Sequence, residues 1–221
     1  MTAPAAPFPA AEAARVRAIF QRLARVMPEP KTELDYSSPF TLLVAVVLSA
    51  QATDRSVNKA TEGLFAVADT PQAVAALGEA RLIPYIQSIG LFRTKAKNVI
   101  ALSRRLVEEH GGEVPLSREA LQALPGVGRK TASVVLNELG VEPAIAVDTH
   151  VFRVAHRLKL SDGKTPDQVE ADLMRVVPEQ YRTKAHHWLI LHGRYTCVAR
   201  RPKCEVCPLA LLCPSRELFV A

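Results

Sequence analysis

Residues 40–50, FTLLVAVVLSA, set the first constraint on this chain, because as a helix they are apolar around nearly the whole circumference. Such a helix cannot lie on a surface, so the rest of the chain has to wrap it on every side. Its longest strictly apolar stretch, Leu42 to Leu48, is seven residues, whereas a bilayer span needs about 20. The run is therefore read as the centre of a protein core. A chain of 221 residues is long enough for one or two such cores. With 48% hydrophobic and 23% charged residues, the composition is that of a globular protein rather than a disordered one.

The spacing elsewhere is helical too. Val16, Ile19, Phe20 and Leu23 follow i, i+3, i+4, i+7, and Val169, Leu173 and Val176 follow i, i+4, i+7. No convincing alternation of period two appears, so the fold class expected is all-α. Gly111-Gly112 closes a helical segment that opens near Thr94. Thr165-Pro166-Asp167-Gln168 supplies an N-cap, a proline at the first helical position and a capping-box glutamine. Turns are expected at 28–30, 69–71, 111–115, 140–143 and 161–166. The first twenty residues, MTAPAAPFPAAEAARVRAIF, show no basic n-region, apolar h-region or cleavage site. Residues 1–15 are expected to be a flexible Pro/Ala-rich tail, and the compartment a reducing, cytoplasmic one.

In that setting the cysteines are informative. Cys197, Cys204, Cys207 and Cys213 are the only four, all within 17 residues. Four thiols so spaced in a reducing compartment suit a metal site better than a disulfide framework. On spacing alone zinc is the default occupant. The formal net charge of +6 and a pI of about 9.3 point to an anionic partner.

The segment LPGVGRKTA at 124–132 reads as a tight turn between a short helix and a second helix starting near Arg129. Gly126 and Gly128 permit left-handed backbone angles and close approach to another surface. The amides ahead of the second helix lie at its positive dipole end, a place where phosphate binds. A P-loop is excluded because Arg129 separates Gly128 from Lys130, and a dinucleotide fingerprint because Thr131 stands where the third glycine belongs. A plain helical corner and a helix-hairpin-helix clamp on a DNA backbone remain. Lys130 lies in the first turn of that helix with its amine near a bound backbone, and from the motif alone it reads as a phosphate contact. Asp148 ends an apolar segment before a helical stretch at 151–158, where Asp148 or Thr149 is expected at least to cap the helix. After the buried run, the sequence turns polar at Ser49 to Asp54, which delivers Gln51 and Asp54 to a surface or cleft.

Taken together, LSAQATD at 48–54, LPGVGRKTA at 124–132, VDTH at 147–150 and the C-x6-C-x2-C-x5-C cysteines resemble the endonuclease III family of helix-hairpin-helix DNA glycosylases. The resemblance runs in order over residues 20–214. It implies a bifunctional DNA glycosylase and AP lyase that acts on oxidised or ring-saturated pyrimidines in double-stranded DNA. The implied catalytic residues are Lys130, the amine nucleophile, and Asp148, which stabilises positive charge on the sugar. Gln51 matches the residue that fills the gap left by a flipped base. Leu91, in GLFRTK at 90–95, matches a second, apolar wedge, its alternative being a hydrophobic staple for the next helix. Asp54 and His150 match positions near the site. Phe92-Arg93 departs from the family pattern, where a tyrosine followed by a small polar residue is familiar. The resemblance also replaces zinc with a [4Fe-4S] cluster held by Cys197, Cys204, Cys207 and Cys213. Gly126, Gly128, Arg129, Arg200, Arg201 and Lys203 are then expected along the DNA.

The architecture implied is two helical domains flanking a DNA-binding cleft. Residues 32–142 would form a six-helix barrel with the hairpin at 118–139, and 16–31 joined to 143–221 the cluster domain. The chain is expected to act as a monomer, nucleoid-associated if bacterial. An adenine glycosylase would carry glutamate where this chain has Val47 and would lack Lys130. A non-catalytic helix-hairpin-helix module with a structural zinc is the alternative of a different class.

Overall fold

The structure is a computed structural model, and it describes residues 10–220. Among these residues there is no β-strand, and no helix is long and apolar enough to cross a membrane. The part of the expected tail at 1–9 lies outside the described residues. Residues 10–15 correct that expectation: they belong to α1 (Ala10–Val26), where Glu12 pairs with Arg15 one turn on. The local reason is the run of alanines, the strongest helix formers, ahead of the buried stripe.

One compact unit spans Thr32–Glu142. At its centre is α2 (Pro39–Leu48), which starts on a capping box between Ser38 and Thr41 with proline at its head. Every residue from Phe40 to Leu48 is buried. Fully burying each large apolar side chain is worth about 1.5–3 kcal/mol, so this helix dominates the unit's core. Around it lie α3 (Asp54–Phe65), α4 (Pro71–Ile86, broken at Gly78), α5 (Phe92–His110), α6 (Arg118–Ala123) and α7 (Arg129–Glu138). Gly111 ends α5 in the left-handed conformation, φ 62°.

The other unit joins residues 10–31 to 143–220. It contains α1, α8 (Thr149–Arg157), α9 (Pro166–Val176) and α10 (Arg182–Tyr195). The expected capping box of α9, Thr165 with Gln168, is present. Phe20 of α1 packs between Tyr181 and Trp188, with ring centroids 6.1 and 6.3 Å away. The Trp188 indole donates to the Met27 carbonyl at 2.8 Å, and Arg15 Nη1 to the Leu212 carbonyl at 3.0 Å. The first bond ties the residue after α1 to α10, and the second ties α1 to the last segment of the chain.

Candidate active site and thiol pocket

The hairpin rests on three buried apolar side chains, Leu121, Leu124 and Val127, that face the core of the first unit. Gly126 takes φ +78°, and a Cβ there would stand 2.9 Å from the Asn98 Cβ, so both conformation and space demand glycine. Gly128 corrects the sequence reading: its φ is −90°, which any residue adopts. Its use is space, because nothing lies within 4 Å of where its Cβ would be. Gly128 is the N-cap of α7, and no side chain caps that helix. No N-cap side chain shields the positive end of α7, and Arg129 and Lys130 are exposed in its first turn. Arg118, which the sequence reading did not single out, braces the two hairpin helices by donating to Ser133 Oγ at 2.6 Å and Glu142 at 2.8 Å.

Gln51 and Leu91 lie in the same unit on adjacent turns. A Cβ on Gly90 would be 3.9 Å from the Gln51 carbonyl oxygen. Both residues are left-handed, φ 54° and 60°, which non-glycine residues adopt at a cost of about 1–2 kcal/mol each. Gln51 is exposed and Leu91 is 60% exposed, so Leu91 is not a staple against the core. Asp54 opens α3, half-buried, behind the Thr53 cap. The unusual Phe92-Arg93 pair has a local account: Phe92 packs on the core and the Arg93 guanidinium lies 5.3 Å from its ring centroid.

In the other unit, Asp148 is the N-cap of α8. Its Oδ1 accepts from the amides of His150 and Val151, both at 2.8 Å, so the cap does not use Oδ2. Asp148 is half-buried, following the buried run Ala144 to Val147. Along α8 the side chains continue into the cysteine segment. Arg153 donates to the carbonyls of Gly193 at 2.8 Å and Cys197 at 3.0 Å, with His150 Nδ1 3.2 Å from its Nη2. Arg157 donates to the carbonyls of Val198 and Ala199 at 2.8 and 3.0 Å and reaches Cys197 Sγ at 3.4 Å. Neither arginine had a distinguishing signal in the sequence.

All four cysteines are free thiols and line one pocket together with Arg157, His192 and Lys203. Burial pushes the Cys207 and Cys213 thiols up, even though backbone amides of Leu209 and Ser215 oppose this. His192, with its Nε2 3.8 Å from Cys207 Sγ, is pushed down to about 4 by burial. Four free thiols lining one pocket fit a four-thiolate centre, which in a [4Fe-4S] cluster means one thiolate per iron. Arg200, Arg201 and Lys203, between the first two cysteines, are exposed.

Comparison with known proteins agrees with this geometry. Residues 44–179 match the model of the HhH-GPD superfamily base excision DNA repair proteins, and residues 197–213 the iron-sulfur binding domain of endonuclease III. The chain belongs to the endonuclease III family. It is 57% identical to endonuclease III of Haemophilus influenzae and 56% to that of Escherichia coli strain K12, each over 199 residues that cover 90% of this chain and 94% of the relative. A solved endonuclease III, trapped as a covalent intermediate with DNA, superposes with a TM-score of 0.87 at 43% identity, covering 93% of this chain and 97% of that one.

As a member of the endonuclease III family the chain is a DNA glycosylase and AP lyase of base excision repair, and its cofactor is a [4Fe-4S] cluster. A non-catalytic hairpin module holding zinc is set aside on the same grounds.

Proposed function

We propose that the chain excises oxidised or ring-saturated pyrimidines from double-stranded DNA as a monomer, with Lys130 as nucleophile and Asp148 as the carboxylate that stabilises positive charge on the sugar. The observation that carries this reading is the exposed Lys130 in the first turn of α7, directly behind a glycine cap that leaves the helix end open to a phosphate backbone.

A base inside a duplex is out of reach, so the damaged nucleotide is flipped out first. Gln51 and Leu91 fill the gap, the amide bonding the orphaned base and the leucine wedging the stack. The neutral Lys130 amine then bonds to C1′ as the C1′–N bond breaks, and the base leaves with the electron pair and takes up a proton. The nitrogen then loses a proton as the C1′–O4′ bond breaks and O4′ takes one up, which opens the sugar ring to a Schiff base; removal of a C2′ proton from it expels the 3′ phosphate, and water releases the sugar from the lysine. Asp148 stabilises positive charge on the sugar and assists the proton transfers. The cap gives its carboxylate a fixed place: one oxygen is spent on two backbone amides, which orients the other. Asp54 and His150 match family positions near the site, and the His150 amide is one of the two that Asp148 caps.

Cys197, Cys204, Cys207 and Cys213 hold the [4Fe-4S] cluster, which when bound cross-links the 197–213 segment and supplies no redox step to excision. The residues around it, Arg200, Arg201 and Lys203, meet DNA phosphates alongside Gly126, Gly128 and Arg129. The test is borohydride trapping on thymine-glycol DNA with wild type, Lys130→Ala and Asp148→Asn. Wild type traps a protein-DNA adduct and Lys130→Ala does not. Persistent trapping in Lys130→Ala overturns the nucleophile, and wild-type inactivity on every oxidised pyrimidine overturns the substrate class.

A further inference from the structure

The core-facing stripe of α5 is Lys95, Val99, Leu102 and Leu106, all buried. A lysine at the head of such a stripe breaks the pattern that the other three residues set. Lys95 is 4% exposed, and its Nζ is wholly buried with no hydrogen-bond partner among the described residues. Burying an amine without a partner is costly, and a methionine would fill much the same volume without that cost. A buried polar group that does nothing for the fold is a functional candidate.

Its place in the helix says what it is near. Side chains on an α-helix run back toward the N-terminus and cover the preceding turn. The Lys95 stem therefore runs back toward the turn at 90–91, just ahead of the first residue of α5. The Lys95 amide already closes on the Leu91 carbonyl at 3.0 Å. Beside that turn lies the Gln51 carbonyl, 3.9 Å from where a Gly90 Cβ would be. The two residues read as wedges both sit in a left-handed conformation on adjacent turns and are both exposed, and the Leu91 side chain makes no capping hydrogen bond among the described residues.

We propose that Lys95 is a positioning residue for base flipping, its buried amine gripping backbone carbonyls of the turns at 49–53 and 88–91 when DNA loads Gln51 and Leu91. The amine is a donor kept in reserve for the loaded state, which keeps both wedges directed into the duplex. This inference rests on the reading of Gln51 and Leu91 as wedges.

The test uses the cluster-loaded enzyme with Lys95→Met, and Leu91→Gly and Gln51→Ala in parallel. Two single-turnover rates are measured: excision of dihydrothymine, which keeps its pairing edge, and strand cleavage at a preformed AP site, where no pair has to be opened. A 2-aminopurine opposite the lesion reports flipping by its fluorescence. Lys95→Met is expected to unfold no earlier than wild type and to keep the visible absorbance of the cluster. It should cleave the AP site within about twofold of wild type yet excise dihydrothymine about tenfold more slowly, with a smaller 2-aminopurine signal. Loss of fold or stability in Lys95→Met assigns the residue to structure and overturns the inference, as does an equal fall in both rates. An unchanged rate ratio in Lys95→Met, with the ratio lowered in Leu91→Gly and Gln51→Ala, also overturns it. An unchanged ratio in Leu91→Gly and Gln51→Ala removes the wedge reading itself, and the inference with it.

Discussion

Arg153 Nη2 stands 3.2 Å from Nδ1 of His150, two residues past the carboxylate that caps the same helix. The same guanidinium holds the carbonyls of Gly193 and Cys197, so one planar fork links the start of α8, the body of α10 and the first cysteine. α8 and α10 pack closely enough that a Cβ on Gly193 would come 2.9 Å from the His150 Cβ. Lysine keeps the charge of Arg153 but not the fork. Arg153→Lys is expected to cost about 2 kcal/mol, the worth of a charge-assisted bond or two, and to speed loss of the cluster's visible absorbance under chelator. Unchanged stability and unchanged cluster lifetime would refute the link.

Asp148 carries two roles that substitution separates. Asparagine is as good an N-cap as aspartate, whereas alanine loses about 1 kcal/mol. Asp148→Asn should therefore unfold at the wild-type denaturant midpoint while excision falls about a hundredfold or more. Asp148→Ala should show that loss of activity together with the lower midpoint. Equal activity of Asp148→Asn and wild type would confine the carboxylate to capping.

The two hairpin glycines should respond oppositely. Gly126→Ala forces a Cβ against Asn98 at φ +78° and should destabilise the protein by about 1 kcal/mol or more. Gly128→Ala, at φ −90° with open space beside it, should fold normally and bind DNA more weakly, because its methyl group occupies the surface a phosphate approaches. Denaturant titration and duplex binding at fixed salt check both.

Replacing Arg200, Arg201 and Lys203 together by glutamine should weaken binding to any duplex sequence alike. If each meets a phosphate, the slope of log affinity against log salt should fall by about 0.9 per contact. A slope unchanged from wild type would place these side chains away from the DNA.

Much of the fold was legible before any coordinates. The all-helical class followed from the spacing of apolar residues, the end of α5 from Gly111 and the start of α9 from Thr165 with Gln168. These are local properties, written within one or two turns of chain. The buried stripe of α1 was legible for the same reason, whereas its first residues, 10–15, looked like a tail because alanine signals no burial. Gly128 was misread because a sequence shows that glycine is present but not whether it is needed for conformation or for space.

The sequence by itself determined the helices, the four cysteines at cluster spacing, and the resemblance that points to Lys130 and Asp148, because each is carried by residue type at short separation. Only the tertiary structure decided that Arg153 and Arg157 fasten the cysteine segment to the helix Asp148 caps, that Gln51 and Leu91 sit on adjacent turns, and that the Lys95 amine is buried without a partner among the described residues. The first two relationships join residues about 40 positions apart, and in a single sequence an arginine that will bind a distant carbonyl is indistinguishable from one that will face water.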